Sequence, residues 1–292
     1  VVFAGSRIHR RLHANAAGAF AIQGDRRPRR YAIIAPVSTL PALLPPDPEA
    51  PFPPVEQALR QPDGLLAVRG ALSPPRLLNA YRHGIFPWYS QGQPILWWSP
   101  DPRTVFATDG VRLGSKFRRG LRRSNWTVRA DTAFAQVIRA CAESPRPGQR
   151  GTWITPEMRA AYVGMHELGH AHSFEVFDDG RLVGGIYGLA IGRMFFGESM
   201  FSAVSGGSKV ALAALAFHLR RWGFPLIDAQ VENDHLLSLG AGLWPRPRFL
   251  GAVAELTAQA GTVGSWTERV GAWPAARLAA AAGPGEGAPY DP

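Results

Sequence analysis

At 292 residues, 46% apolar and 18% charged, the chain has a globular composition and is long enough for one large domain or two modest ones. The net charge of +10 is concentrated at one end: residues 1–30 hold seven Arg against Asp25 alone, so basicity by itself is a weak argument for nucleic acid. The single cysteine, Cys141, excludes an internal disulfide and suits a reducing compartment, and no apolar run reaches the roughly 18 residues of a membrane span.

Residues 1–38 start with Val rather than Met, are Arg-rich, acid-poor and aperiodic, and read as a disordered or non-native extension. PPDPEAPFPP, Pro45 to Pro54, reads as an extended lead-in to a folded part that begins near residue 55. Ser73 and Pro74 make a helix start and Gly84 a stop, which predicts a short helix between them. GIFPWYSQGQPILWWSPDPR then gathers Trp88, Tyr89, Trp97 and Trp98 around a short strand, beside Arg82, His83 and Arg103. Such aromatics can stack on bases or cement two small domains, and the second reading is slightly preferred.

The densest basic cluster after the extension is Arg112, Lys116, Arg118, Arg119, Arg122, Arg123 and Arg129. Pairs at 118/119 and 122/123 would place four guanidinium groups on adjacent faces of one helix, a surface for phosphates or simply a solvated face. DTAFAQVIRACAE is an amphipathic helix with Phe134, Val137, Ile138 and Cys141 inward. HELGH, His166 to His170, matches a zinc-protease pattern that needs both imidazoles on one helical face. Gly169 stands where the helix opened by Thr155 and Pro156 should stop, so His170 leaves the face of His166 and no metal site is expected.

SFEVF, RLVGGIYGLAIG and RMFFGESMFS form an antiparallel meander, turned at Asp178-Asp179-Gly180 and near Gly192. Strict alternation puts Phe196, Glu198, Met200 and Ser202 on one face, and Phe195, Gly197, Ser199 and Phe201 on the other. Burying Glu198 in apolar surroundings is costly unless it meets a cation or several donors, so a charged partner is expected. A helix runs from near Ser208 to Gly223, and FPLIDAQV follows as a central strand. On that strand Asp228 and Gln230 share a face with Leu226, opposite Ile227, Ala229 and Val231. A buried acid and amide demand partners, which marks them as a candidate site. NDHLLSLGA reads as a short helix, and the Ala/Gly/Pro-rich segment from about Trp273 as disordered.

GIFPWYS, PILWWSPDPR, GTWITPEM, MHELGHAHS, LVGGIYG, FFGESMFS followed by SK, and LIDAQVENDHLLSLGA together resemble the leucyl/phenylalanyl-tRNA–protein transferase family, from about Pro53 to Trp266. The resemblance implies an α/β (α+β) protein with a mixed sheet: a small N-terminal domain over 39–107, a catalytic domain like the GNAT acetyltransferases over 108–272, and a disordered tail over 273–292. It implies transfer of Leu or Phe, and less well Met, from aminoacyl-tRNA to proteins with N-terminal Arg or Lys, for bacterial N-end-rule degradation. The enzyme would be a cytoplasmic monomer with no cofactor, metal or membrane partner. Asp228 and Gln230 would orient and help deprotonate the attacking amine, and Glu198 would add a second acidic contact, with the substrate amine or its basic side chain as its cation. Trp153, Ile186, Phe195, Met200 and Leu215 would line the pocket for the transferred side chain. Arg112, Lys116, Arg118, Arg119, Arg122 and Arg123 would bind the tRNA acceptor stem. The chain departs from the family's pattern at Ala71, Ala203, Gly206, Gly242 and Leu243. A peptidoglycan-type aminoacyl-tRNA-dependent transferase and a tRNA-binding protein without activity remain as alternatives.

Overall fold

The structure is a computed structural model and describes residues 40–144 and 152–280; the expected extension to residue 38 lies outside them. A small sheet has the order β1-β2-β4-β3, from β1 (Ala42–Leu44), β2 (Leu65–Arg69), β3 (Phe86–Pro87) and β4 (Leu96–Trp98). Helix α1 (Pro74–Arg82) connects β2 to β3, starting and stopping where the Ser73-Pro74 and Gly84 signals put it. Folding begins earlier than residue 55, because β1 pairs in parallel with β2. The proline-rich lead-in is also held: buried Arg76 donates to the carbonyls of Asp47 and Ala50 and lies 5.1 Å over the Phe52 ring. Trp88, Tyr89, Trp97 and Trp98 are all buried, so the cementing role holds and base stacking does not.

The remaining strands are β5 (Arg103–Ala107), β6 (Thr127–Ala130), β7 (Ala171–Asp178), β8 (Arg181–Ile191), β9 (Met194–Ser202), β10 (Leu226–Gln230), β11 (Gly242–Trp244) and β12 (Trp273–Pro274). They form one mixed sheet in the order β11-β5-β10-β9-β8-β7-β6-β12, antiparallel except where β10 meets β9. Two expected boundaries change. Strand β5 pairs with β10 and β11, so the division at 107 moves to before Arg103. Residues 273–280 are ordered, not tail: β12 pairs with β6, and the 3-10 turn Ala275–Ala279 buries Ala275 and Leu278.

Seven further helices complete the described chain: α2 (Ser115–Leu121), α3 (Phe134–Glu143), α4 (Pro156–Glu167), α5 (Gly207–Arg221), α6 (Asp234–Ser238), α7 (Arg246–Ala258) and α8 (Thr267–Val270). The large sheet separates two apolar cores. One is filled by α3, α4, α7 and the small sheet; the other by α5, α6 and the segment around Trp266 and Trp273. Each strand therefore needs apolar residues on both faces, and the buried runs of β8 and β9 follow from that.

Candidate active site

The expected alternation along β9 fails at Glu198. Gly197 faces Gly188 and Ser199 faces Tyr187, so Glu198 is an extra residue without a partner across the ladder, a β-bulge. Beyond it the faces exchange: Met200 packs with Phe195 in the α5 core, and Phe201 with Phe196 in the other. Glycine at 188 makes room for this, since a Cβ there would lie 2.1 Å from the Phe196 carbonyl oxygen. The bulge leaves Glu198 pointing toward Tyr81 of α1 and Tyr162 of α4.

There Glu198 is 0% exposed. Its Oε1 accepts from the Tyr81 hydroxyl at 2.6 Å and from Gln230 Nε2 at 2.8 Å, and the Tyr81 hydroxyl is in turn hydrogen-bonded to Tyr162. Among the described residues no cation bonds it, so the expected charged partner is replaced by neutral donors. Burial pushes its pKa up to about 8, against the opposing hydrogen bonds. Tyr81 and Tyr162 are raised well above the usual phenol range, first by burial and then by the adjacent Glu198.

Asp228 meets the opposite treatment. Arg103 donates to it from Nε at 2.9 Å and from Nη2 at 2.7 Å, a bidentate ion pair with both side chains fully buried. The guanidinium is fixed further by the Gly84 carbonyl at 2.9 Å and by the rings of Phe86 and Phe249, at 4.7 and 4.5 Å from its centre. Asp228 Oδ1 also accepts the backbone N–H of Gln230 at 2.8 Å. Gln230 itself has φ 61°, a left-handed conformation that costs a non-glycine residue about 1–3 kcal/mol. This turn carries Val231 back into the core shared by Leu226, not into that of Ile227 and Ala229 as alternation predicts.

The paired register of β9 and β10 ends at Phe196 and Asp228. Past that point the two strands are joined by the Glu198–Gln230 side-chain bond. Two buried polar atoms at this junction, Glu198 Oε2 and Gln230 Oε1, have no hydrogen-bond partner among the described residues. Buried polar groups are rarely left so, and two such acceptors side by side call for strain, an ordered water or a bound group to explain them.

The sequence reasoning found the acid–amide pair and Glu198, and the structure brings the three together. It missed Arg103, Tyr81 and Tyr162. The signals were present: Tyr81 shares the apolar face of its helix with Leu77, Tyr162 lies four residues from Met158, and Arg103 shares a strand face with buried Val105. The expected side-chain pocket is only partly assembled. Ile186, Phe195, Met200 and Leu215 pack in the α5 core, whereas Trp153 lies in the other core, because the segment leading into α4 runs over the opposite face.

Arg112, Lys116, Arg119, Arg122 and Arg123 are exposed and Arg118 is half-buried. Contrary to the expectation of one shared helix, α2 ends at Leu121, where the Ser124 hydroxyl donates to the Leu121 carbonyl, so Arg122 and Arg123 lie beyond it. Arg122 donates to the Ala279 carbonyl at 3.3 Å. In HELGH, α4 stops before Gly169, which has φ 76°. His166 bonds the Ala171 carbonyl and stacks on Phe134 at 4.3 Å, a structural role for that imidazole. Ala203 and Gly206 lie between β9 and α5, and Gly242 and Leu243 on the exposed edge strand β11.

A family model described as leucyl/phenylalanyl-tRNA protein transferase matches residues 105–254, and one for the N-terminal domain of the same enzymes matches residues 70–101. A leucyl/phenylalanyl-tRNA–protein transferase from Xanthomonas axonopodis pv. citri is 69% identical over 239 residues, covering 82% of this chain and 96% of the relative. One from Xylella fastidiosa is 63% identical over 227 residues, covering 78% and 93%. Among solved structures, FemX is similar at 13% identity and a TM-score of 0.38, over 59% of this chain and 66% of that one.

Proposed function

Because the chain belongs to the leucyl/phenylalanyl-tRNA–protein transferase family, we propose that it moves Leu or Phe, and Met less well, from aminoacyl-tRNA to the N-terminal Arg or Lys of a protein. It would do so as a cytoplasmic monomer and create a bacterial N-end-rule degradation signal. No helix among the described residues is long and apolar enough to cross a membrane. The observation that carries the catalytic reading is the pair of unbonded atoms, Gln230 Oε1 and Glu198 Oε2, at the parting of β9 and β10.

An aminoacyl ester is already activated, so the reaction needs a neutral amine held against its carbonyl carbon. An α-amino group with a pKa near 8 supplies a useful neutral fraction at pH 7. In this proposal Gln230 Oε1 accepts an N–H of that amine. Its carboxamide is fixed by Glu198 and its backbone N–H by Asp228, which Arg103 holds in turn. The amine nitrogen bonds to the carbonyl carbon and gives up a proton, the ester C–O bond breaks, and the 3′-terminal ribose oxygen leaves with a proton. Glu198, with a pKa of about 8, is matched to the amine for exchanging that proton. Asp228 thus serves as a positioning residue rather than as the base. Of the expected side-chain pocket, Trp153 shares the core that holds this cluster and is our candidate for receiving the transferred side chain, whereas Ile186, Phe195, Met200 and Leu215 pack beyond the sheet. An apolar wall of this kind separates Leu from Phe only weakly.

The test is transfer of labelled leucine from freshly charged leucyl-tRNA to peptides that differ only in their first residue. Transfer to an Arg-initiated peptide and not to an Ala-initiated one is expected. No transfer to either would reject the reading.

A further inference from the structure

A cavity of about 660 Å³ lies on the α5 side of the large sheet, among α2, α5 and α6, apart from the buried polar cluster. Its size falls in the roughly 300–1,000 Å³ of small-ligand sites. Phe117, Trp126 and Leu239 supply apolar walls, and Arg112, Lys116 and Lys209 supply charge, with no acidic residue in the lining. Phe117 and Trp126 are only half-buried, so ring surface is available. The Phe117 ring is seated against the turn before α5: a Cβ at Gly206 would lie 2.4 Å from it, so this glycine and the position of the ring go together.

The use of lysine is a second, independent observation. Only two of the 32 Lys and Arg residues are lysines, and both line this one cavity. Lysine presents a compact point charge that suits a single phosphate, whereas arginine presents a planar fork. A neighbouring cavity of about 780 Å³ shares Arg112, Leu113, Gly114 and Ser238, and adds Arg118, Arg220 and Arg221 with Asp109 as its one acid. The cations therefore continue as a track away from the aromatic cavity.

We propose that this cavity receives an unpaired nucleotide of the donor's single-stranded 3′ end, one of the cytidines preceding the terminal adenosine. Its base would lie against Phe117 and Trp126, and its phosphates against Lys116 and Lys209. The inference rests on the reading that the donor is aminoacyl-tRNA. Aromatic rings beside a basic track are the usual means of holding single-stranded nucleic acid without reading its sequence. The charge also argues against the other reactants. An Arg- or Lys-initiated acceptor, or the α-ammonium of the aminoacyl group, would enter a lining with three cations and no counter-charge.

The test compares two donors, leucyl-adenosine and the leucylated trinucleotide cytidylyl-cytidylyl-adenosine, in steady-state transfer to an Arg-initiated peptide. Wild-type protein is expected to show a lower KM for the trinucleotide. Phe117→Ala, and separately Lys209→Ser at a half-buried surface position, should each reduce that advantage about tenfold or more while kcat changes little, the scale of losing one stacking or phosphate partner. An advantage that survives both substitutions overturns the proposal. So does its absence in a wild-type protein that still uses intact leucyl-tRNA, and that outcome leaves the transferase reading standing. Failure of wild-type protein to use any of the three donors overturns both.

Discussion

Two carboxylates less than one strand apart are buried to the same degree and handled in opposite ways. Asp228 at the end of β10 is matched charge for charge by Arg103, whereas Glu198 in the β9 bulge is met by the neutral donors Tyr81, Tyr162 and Gln230. A buried carboxylate avoids the cost of desolvation either by pairing or by taking up a proton. Pairing makes a rigid support, and protonation makes a group whose state can change near neutral pH. Gln230 lies between the two, with its backbone tied to the first and its side chain to the second. The difference separates the part of the site that holds geometry from the part that can exchange a proton.

The largest effect is expected from breaking the paired half. Arg103→Met strands Asp228 without its cation and should lower stability by about 3–5 kcal/mol, read from urea unfolding. A loss below 1 kcal/mol would show that Asp228 is relieved by other means. On the neutral half, Tyr81→Phe removes the hydroxyl bonded to Glu198 and Tyr162, and should cost about 1–3 kcal/mol. If the two losses prove equal, the contrast drawn between the halves is wrong.

Glu198→Gln sharpens the comparison through pH. The folded pKa of about 8 lies above the ordinary carboxylate value of 4.5, so between these limits the folded protein binds more protons than the unfolded chain. This contribution is therefore fully present at low pH and declines as pH rises through that window. Glu175, raised to about 7 chiefly by burial, adds a slope of the same sign at its lower end. Glu198→Gln should have its smallest effect near pH 5 and a growing relative stabilisation toward pH 9. A variant whose unfolding midpoint runs parallel to wild type across that range would mean that Glu198 is ionised throughout.

Much of this arrangement is legible in the sequence because local signals and burial agree. The Ser73-Pro74 start, the Gly84 and Gly169 stops and the Asp179-Gly180 turn are short-range chemistry, and each element ends where they put it. Asp228 and Gln230 stand out because an acid and an amide interrupt an otherwise apolar strand. Two kinds of feature were hidden. The β9 bulge and the left-handed turn at Gln230 depend on close approach between strands, which alternation within one strand cannot register, so Met200 and Val231 were assigned to the wrong faces. Arg103, Tyr81 and Tyr162 acquire their meaning through partners 81 to 125 residues away, as in the Tyr81–Tyr162, Tyr81–Glu198 and Arg103–Asp228 bonds. The ordered segment from Trp273 was missed because its composition suggests a tail, while pairing with β6 and burial of Leu278 hold it.

The most direct test of the central claim moves the Gln230 carboxamide by one methylene. Gln230→Asn keeps the amide and suits the positive φ, but draws the group back from Glu198. Single-turnover transfer of leucine from leucyl-tRNA to an Arg-initiated peptide should slow about 100-fold or more, with tRNA affinity retained, as expected for a misplacement of about 1 Å at the reacting centre. Transfer at the wild-type rate would contradict the assignment of this cluster as the place where the new amide bond is made.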